Sequence, residues 1–252
     1  MLPKAILFDY GMTLCTEPDA DYEKGAAVLL SHAAANPQHI TPPALQKAIW
    51  DVLADFGFAG AELDRSADAI WAQKLEVHFL GVLRYVLERL GLVLDVDLWH
   101  AEMLYWDACS PGSPAPGAAE MLEYLDTLSI PYGVVSNMWF TGATLERRIV
   151  SCLPHANFRF ILASHDYAYR KPDRHFFEIA LHKLGLSGGD VWFCGDNPVC
   201  DVEGAAGVGM RPFWLRLSDD FDRLTPPRVP YTRLTNWADF CRLLEKAAQE
   251  SR

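Results

Sequence analysis

Hydrophobic positions along the chain fall into two kinds of pattern. Short apolar runs occur at 5–8, 132–135, 160–163, 191–194 and 213–217, each followed by a polar or glycine-bearing stretch. Runs this short, bounded by turn residues, predict strands buried on both faces, as in a parallel sheet. Between them, apolar residues recur at helical spacing. Met121, Leu122, Leu125 and Leu128 form one stripe ahead of Pro131, and Phe176, Phe177, Ile179, Ala180 and Leu184 form another, closed by Gly185. Strand and helix alternating in this way predict an α/β fold, a Rossmann-like parallel sheet with helices on both faces.

The stretch 15–110 breaks the alternation. Thr41-Pro42 opens a helix carrying Leu45, Ala48, Ile49, Val52 and Phe56. A longer stripe runs through Trp71, Leu75, Phe79, Leu83, Val86 and Leu90 to Gly91, and a third holds Leu98, Ala101, Leu104 and Tyr105. No strand-like run interrupts them. The segment therefore reads as an all-helical cap domain (15–110) inserted into a core domain (1–14 and 111–252), with the stripes as packing faces. The Pro- and Gly-rich stretch 111–117 reads as a hinge-like linker back to the sheet.

Composition then narrows the classes. The chain has 252 residues, 50% hydrophobic and 22% charged, enough apolar material for a folded core. Its formal net charge is −11 and no Lys/Arg-rich run offsets it, which argues against nucleic-acid binding. No apolar stretch approaches spanning length, so no membrane association is expected. The six cysteines are scattered without a C-x-x-C pair, and Met1-Leu2-Pro3-Lys4 shows no targeting pattern. These features predict a reduced, cytoplasmic protein, and the sequence leaves monomer or homodimer open.

Four segments offer chemistry. Asp9 follows the first apolar run, Ser136-Asn137 follows the second, and Lys171-Pro172-Asp173 precedes a strongly periodic helix. Asp196 follows the run at 191–194, with Asp201 five residues later. Each is ordinary by itself. An aspartate at a strand end is commonly a turn residue, Ser-Asn is a turn signal, a lysine in a loop is usually solvated, and Asp173 suits a helix N-cap. The aspartate pair says more: two carboxylates this close repel unless a cation neutralises them, which suggests a hard metal ion with oxygen ligands.

In order, and each at the carboxyl end of an expected strand, these segments resemble the four motifs of the haloacid dehalogenase superfamily. The stretch from Pro116-Gly117 to Leu128 and the small-residue turn Gly204–Met210 also resemble that family's supporting segments. The resemblance implies a Mg²⁺-dependent hydrolase acting on a small-molecule phosphate ester through an aspartyl-phosphate on Asp9. It further implies that Ser136, with Asn137, hydrogen-bonds the phosphoryl oxygens and that Lys171 neutralises Asp9 and the transferring group. Asp9, the Gly11 carbonyl, Asp196 and Asp201 would hold the metal, directly or through water.

One departure matters. Phosphatases of this family usually carry a second aspartate two residues after the nucleophile, as general acid and base; here that position is Gly11. Losing such help typically costs about 10²–10⁴ in rate. Three readings stay open: a good leaving group such as an acyl or aryl phosphate, a proton from the insertion (Glu17, Asp19 or Lys24), or a catalytically weak phospho-ligand binder or regulatory protein. A 2-haloacid dehalogenase is compatible with Gly11 but does not account for the aspartate pair. Met12 stands where the family favours glycine. Trp50, Trp71 and Trp99 are candidate cap residues for a ligand site, with core packing the simpler reading. The sequence does not name the substrate.

Overall fold

The computed structural model describes residues 2–17, 20–56, 74–217 and 225–250. From the N-terminus, β1 (Ala5–Phe8) is followed by β2 (Cys15–Thr16), α1 (Tyr22–Ser31), β3 (Ala33–Ala35), α2 (Pro42–Asp55), α3 (Phe79–Leu90), β4 (Val93–Leu94), α4 (Leu98–Cys109) and β5 (Ser113–Pro114). Then come α5 (Ala118–Thr127), β6 (Tyr132–Ser136), α6 (Gly142–Cys152), β7 (Ile161–Ala163), α7 (Arg174–Leu184) and β8 (Val191–Gly195). A π-helical turn at Pro198–Glu203 runs into α8 (Gly204–Gly207), followed by β9 (Arg211–Leu215), β10 (Thr232–Leu234) and α9 (Trp237–Gln249).

Six strands form one sheet in the order β10-β9-β8-β1-β6-β7, every pair parallel. This is the Rossmann-like α/β architecture that the alternating pattern predicts. Strand pleating splits β1 between two cores. Ala5 and Leu7 pack with Phe176, Phe177 and Phe193 on one face. Ile6 and Phe8 face Leu122, Leu125, Trp237 and Phe240 on the other. The Phe8 ring meets Trp237 edge-on at 5.5 Å and Phe240 at 6.3 Å. Aromatic pairs of this kind contribute about 0.5–1.5 kcal/mol beyond their buried area. They fix the strand that carries Asp9.

Helices α1–α4 lie in the chain between β2 and β5. Their buried residues, among them Leu29, Leu45, Ile49, Leu83, Val86 and Tyr105, belong to the same apolar cluster as Phe8. The helices thus share a core with the sheet instead of standing apart from it. Gly91 closes α3 in the left-handed conformation (φ 64°), as its place after the stripe predicts. Leu75, counted into that stripe, instead precedes the helix, is exposed, and bridges antiparallel to Tyr169. Trp71 lies outside the described residues.

Among the described residues of 15–110, short strands stand beside the helices: β2 at its start, and β3 and β4, which pair antiparallel with Ala33 opposite Leu94. Runs of two or three residues are too short to show a period. The 111–117 stretch is likewise not a free hinge, because β5 pairs antiparallel with β2, Cys15 opposite Pro114. The two crossings between sheet and helices are therefore zipped side by side. The last apolar run begins two residues earlier than its pattern indicates, since Arg211 and Pro212 pair with Trp192 and Phe193. The Arg211 guanidinium lies 4.8 Å from the Trp192 ring centroid, so a charged residue serves as strand surface. Among the described residues no helix is long and apolar enough to cross a membrane.

Candidate active site

The carboxyl ends of β1 and its neighbours converge on four charged groups. Asp9 directly follows β1, and its N–H donates to the Cys194 carbonyl (2.9 Å), which ties the loop to β8. The Lys171 ammonium donates to Asp9 Oδ1 (2.7 Å) and to Asp201 Oδ1 (2.5 Å). Lys171 and Asp201 are each 1% exposed. Carboxylate oxygens of Asp9, Asp196 and Asp201 lie within 4.8 Å of one another. Four residues up to 192 positions apart in sequence meet here because β8, β1 and β6 are adjacent in the sheet and β7 feeds the Lys171 loop.

Local structure explains how each is delivered. A Cβ on Gly195 would sit 2.3–2.5 Å from the Asp201 side chain, so only glycine lets that carboxylate fold back against the strand end. Asp201 Oδ2 accepts from the Asn197 N–H (2.8 Å). The Asn197 side chain in turn caps the π-helical turn, accepting from Val199 N (3.0 Å) and Cys200 N (2.8 Å). Single π-turns of this sort recur at functional sites. Asp173 caps α7 by accepting from His175 N (3.0 Å), as the sequence suggests.

Charge is not balanced within the cluster: one ammonium faces three carboxylates. Burial, then the Asp201 and Asp9 charges, push the Asp196 carboxyl well above the usual carboxylate range, against the opposing pull of Lys171. Burial also pushes Asp201 up to about 6, although Lys171 draws it down. Burial alone would lower Lys171, but Asp201 and Asp9 outweigh it and hold the ammonium above its ordinary value. Among the described residues Asp196 makes no ion pair. Excess negative charge on hard oxygen donors, with Asp196 uncompensated, fits a small divalent cation such as Mg²⁺.

The other sequence candidates separate. Gly11 is half-buried and lines the cavity beside Asp9. Met12 also lines it and takes φ 53°, the left-handed region, which explains why glycine is favoured there. Ser136 ends β6 fully buried and is not part of the cavity lining. Asn137 does line the cavity, but its amide is spent on Lys171: Nδ2 donates to the Lys171 carbonyl (2.8 Å) and Oδ1 accepts from the Lys171 N–H (2.7 Å). These two bonds tie Asn137 to the lysine loop.

Of the proton-donor candidates, Lys24 pairs with Asp21 on the surface and Asp19 lies outside the described residues. Glu17 lines the cavity, yet both its oxygens are occupied. Oε1 accepts from Tyr10 Oη (2.7 Å) and Arg148 Nη1 (2.9 Å), and Oε2 from Trp106 Nε1 (3.3 Å). Arg148 is buried and lies 4.1 Å from the Trp106 ring centroid, so a fixed guanidinium anchors the Glu17 side chain.

The cavity over the cluster measures about 340 Å³. Much of its wall comes from residues that no motif marks: Trp106 from α4, Met138, Trp139 and Phe140 after β6, and the pair Glu76–Arg170. Glu76 is buried and accepts from Arg170 Nη1 (3.2 Å), Val77 N (3.0 Å) and the Ser164 hydroxyl. Of the insertion tryptophans, Trp50 packs on Tyr22 and Trp139 and Trp99 is at the surface. Arg170 carried one readable signal, its place directly before Lys171. Trp106 and Trp139 carried none beyond being aromatic.

A parallel α/β sheet thus gathers Asp, Lys and an Asp pair at its carboxyl edge, beside a half-open cavity. Residues 107–215 match the haloacid dehalogenase-like hydrolase family. The chain is 30% identical over 121 residues to haloacid dehalogenase-like hydrolase domain-containing protein 3 of Danio rerio, covering 47% of this chain and 49% of that protein. It thus spans about half the length of the curated relatives it matches. Among solved structures it is similar to a phosphatase of the same superfamily from Thermococcus onnurineus. That match has a TM-score of 0.63 at 16% identity, over 95% of this chain and 97% of the other. A 2-haloacid dehalogenase from Pseudomonas syringae pv. Tomato DC3000 superposes at a TM-score of 0.60 and 22% identity, over 98% and 100%. The family match thus covers residues 107–215 of this chain, and the two structural matches extend the likeness of fold over nearly its whole length.

Proposed function

We propose that this protein is a divalent-metal-dependent phosphatase that hydrolyses small phosphate esters through a covalent intermediate on Asp9. The observation that carries the reading is the cluster itself. Lys171 is hydrogen-bonded to both Asp9 and Asp201, with Asp196 uncompensated beside them. Under this reading 1–14 and 111–252 act as the catalytic core and 15–110 as the cap that selects the leaving group.

Asp9, Asp196 and Asp201, with the Gly11 carbonyl, would hold Mg²⁺, directly or through water. Bound there, the ion supplies the positive charge that lets an anionic nucleophile and an anionic phosphoryl group share one site. The chain's own residues do the rest. Lys171 donates to Asp9 Oδ1, which orients the nucleophile, and presents a second cation to the equatorial phosphoryl oxygens. Asn137 fixes the Lys171 main chain, so the ammonium is positioned before substrate arrives. The apolar wall from Trp106, Met138, Trp139 and Phe140 lowers the polarity around the reacting groups, which strengthens charge interactions there.

A dehalogenase is the competing reading, favoured by Gly11, since attack on carbon needs no second acid. The uncompensated Asp196, beside Asp9 and Asp201, favours phosphate. The test is direct: purified protein with Mg²⁺ and a panel of phosphate esters and 2-haloacids, beside an Asp9→Asn control. Phosphate release by the wild type alone supports the proposal. Halide release without phosphate release replaces it, and tight phosphate-ester binding without release reduces the protein to a binder.

A further inference from the structure

The cavity and the missing acid point to the same kind of leaving group. On the phosphatase reading, the bond that breaks joins phosphorus to the leaving-group oxygen. With glycine at position 11, no side chain there can protonate that oxygen as it departs. The remaining carboxyls in the cavity wall do not replace it. Among the described residues, the oxygens of Glu17 are taken up by Arg148, Tyr10 and Trp106, and those of Glu76 by Arg170, Val77 and Ser164, so neither is turned toward a leaving group. Burial, reinforced by the Glu17 charge, also keeps the Tyr10 hydroxyl donating inward to that carboxylate.

An oxygen that leaves unprotonated must be a stable anion. A phenol titrates near about 10, whereas water, a guide to simple alcohols, titrates near about 15.7. That difference disfavours alkyl esters strongly and aryl esters little. Independently, the cavity wall supplies what an aromatic ring packs against. Tyr22, Trp106, Trp139 and Phe140 line it, together with the thioethers of Met12 and Met138. Rings stack on rings and on thioether sulfur. A cavity of about 340 Å³ has room for a phosphoryl group and one substituted ring.

We propose that the substrates are aryl phosphate monoesters, the ring lying against Trp139 and Phe140 and leaving as a phenolate without enzymic protonation. An Asp9 carboxylate oxygen bonds to phosphorus as the P–O bond to the ring breaks. The electron pair stays on the phenolate oxygen, which takes its proton from solvent. Water then displaces the Asp9 carboxylate from phosphorus, giving inorganic phosphate and a proton.

The inference rests on the phosphatase reading, and its test separates the two. With Mg²⁺, kcat/KM is measured for p-nitrophenyl, phenyl, acetyl and glycerol phosphates on wild type and Trp139→Ala. The expected result is aryl esters favoured over glycerol phosphate by about 10²-fold or more. Trp139→Ala should raise KM for phenyl phosphate about tenfold more than KM for acetyl phosphate, which has a good leaving group but no ring. Glycerol phosphate cleaved as well as phenyl phosphate overturns the inference and leaves a phosphatase. Equal losses on phenyl and acetyl phosphate overturn the ring contact. Phosphate release from none of the four overturns the phosphatase reading as well. Because the wild-type series alone decides the leaving-group claim, poor folding of Trp139→Ala would not shelter it.

Discussion

Asn137 grips Lys171 by both sides of its main chain, donating to its carbonyl at 2.8 Å and accepting from its N–H at 2.7 Å. A residue at the end of β6 thereby sets where a lysine in the loop after β7 stands, and the lysine in turn holds Asp9. Asn137→Ala removes both contacts without touching a charged group. Displacing Lys171 by even an ångström should lower kcat/KM about 10²-fold, with KM changed less than kcat. Leaving the freed main-chain groups unpaired should lower stability by about 1–3 kcal/mol. Steady-state kinetics and a denaturant melt check both.

Gly195 makes room for Asp201. An added methyl would meet the Asp201 carboxylate at 2.3–2.5 Å, far inside contact distance. Gly195→Ala should therefore displace Asp201, cost about 1–3 kcal/mol of stability and weaken Mg²⁺ binding. Calorimetric titration of the variant with Mg²⁺ reads the second effect apart from the first.

Metal binding should depend on pH, with a sign fixed by the carboxyls. Asp201 is pushed up to about 6 and Asp196 higher than usual. An unfolded carboxyl titrates near about 4, so each contributes stability to the metal-free fold that is fully present below that value. That contribution is lost as pH rises through the folded pKa, near 6 for Asp201. Mg²⁺ requires the ionised forms, so the rise in melting temperature it gives should be larger at about pH 7 than at about pH 5. An increment independent of pH would contradict this picture of the site.

Met12 holds φ 53° beside the nucleophile, a conformation that costs a non-glycine residue about 1–2 kcal/mol. Met12→Gly and Met12→Ala both delete the side chain, so their difference isolates the backbone. The glycine variant should be the more stable by about 1 kcal/mol. Equal melting curves would remove the strain argument.

The same gap at position 11 that leaves the phenolate unprotonated also leaves water without a base. Hydrolysis of the aspartyl-phosphate should then limit turnover on activated esters. Stopped-flow mixing with p-nitrophenyl phosphate should show a burst of phenolate approaching one equivalent per enzyme, followed by a slower steady state. Gly11→Asp should shrink that burst.

The chemistry at the sheet edge was legible because it sits where a strand stops, and strand ends can be read from short apolar runs. Asp9, Lys171, Asp196 and Asp201 come together as their resemblance implied. Ser136 and Asn137 show the limit of that logic. Adjacent in sequence, one is buried at the end of β6 and the other hydrogen-bonds the Lys171 main chain. The cavity wall was not legible. Trp106 is one more aromatic on α4, and only packing against Arg148 and Phe140 puts its ring beside Glu17. Helix α6 was missed for a related reason. Its buried face mixes Leu145 and Ile149 with Arg148 and Thr144, so its apolar stripe is thin. Arg148 is buried there because Glu17 and Asp107 answer its charge, a relation no local pattern contains.

The most direct measurement is to mix the protein with Mg²⁺ and p-nitrophenyl phosphate, quench in acid within the burst, and map the peptides by mass spectrometry. The account predicts one phosphoryl group, on the peptide containing Asp9, absent from Asp9→Asn. Phosphate release that persists in Asp9→Asn, or a phosphoryl group found on another residue, would contradict it.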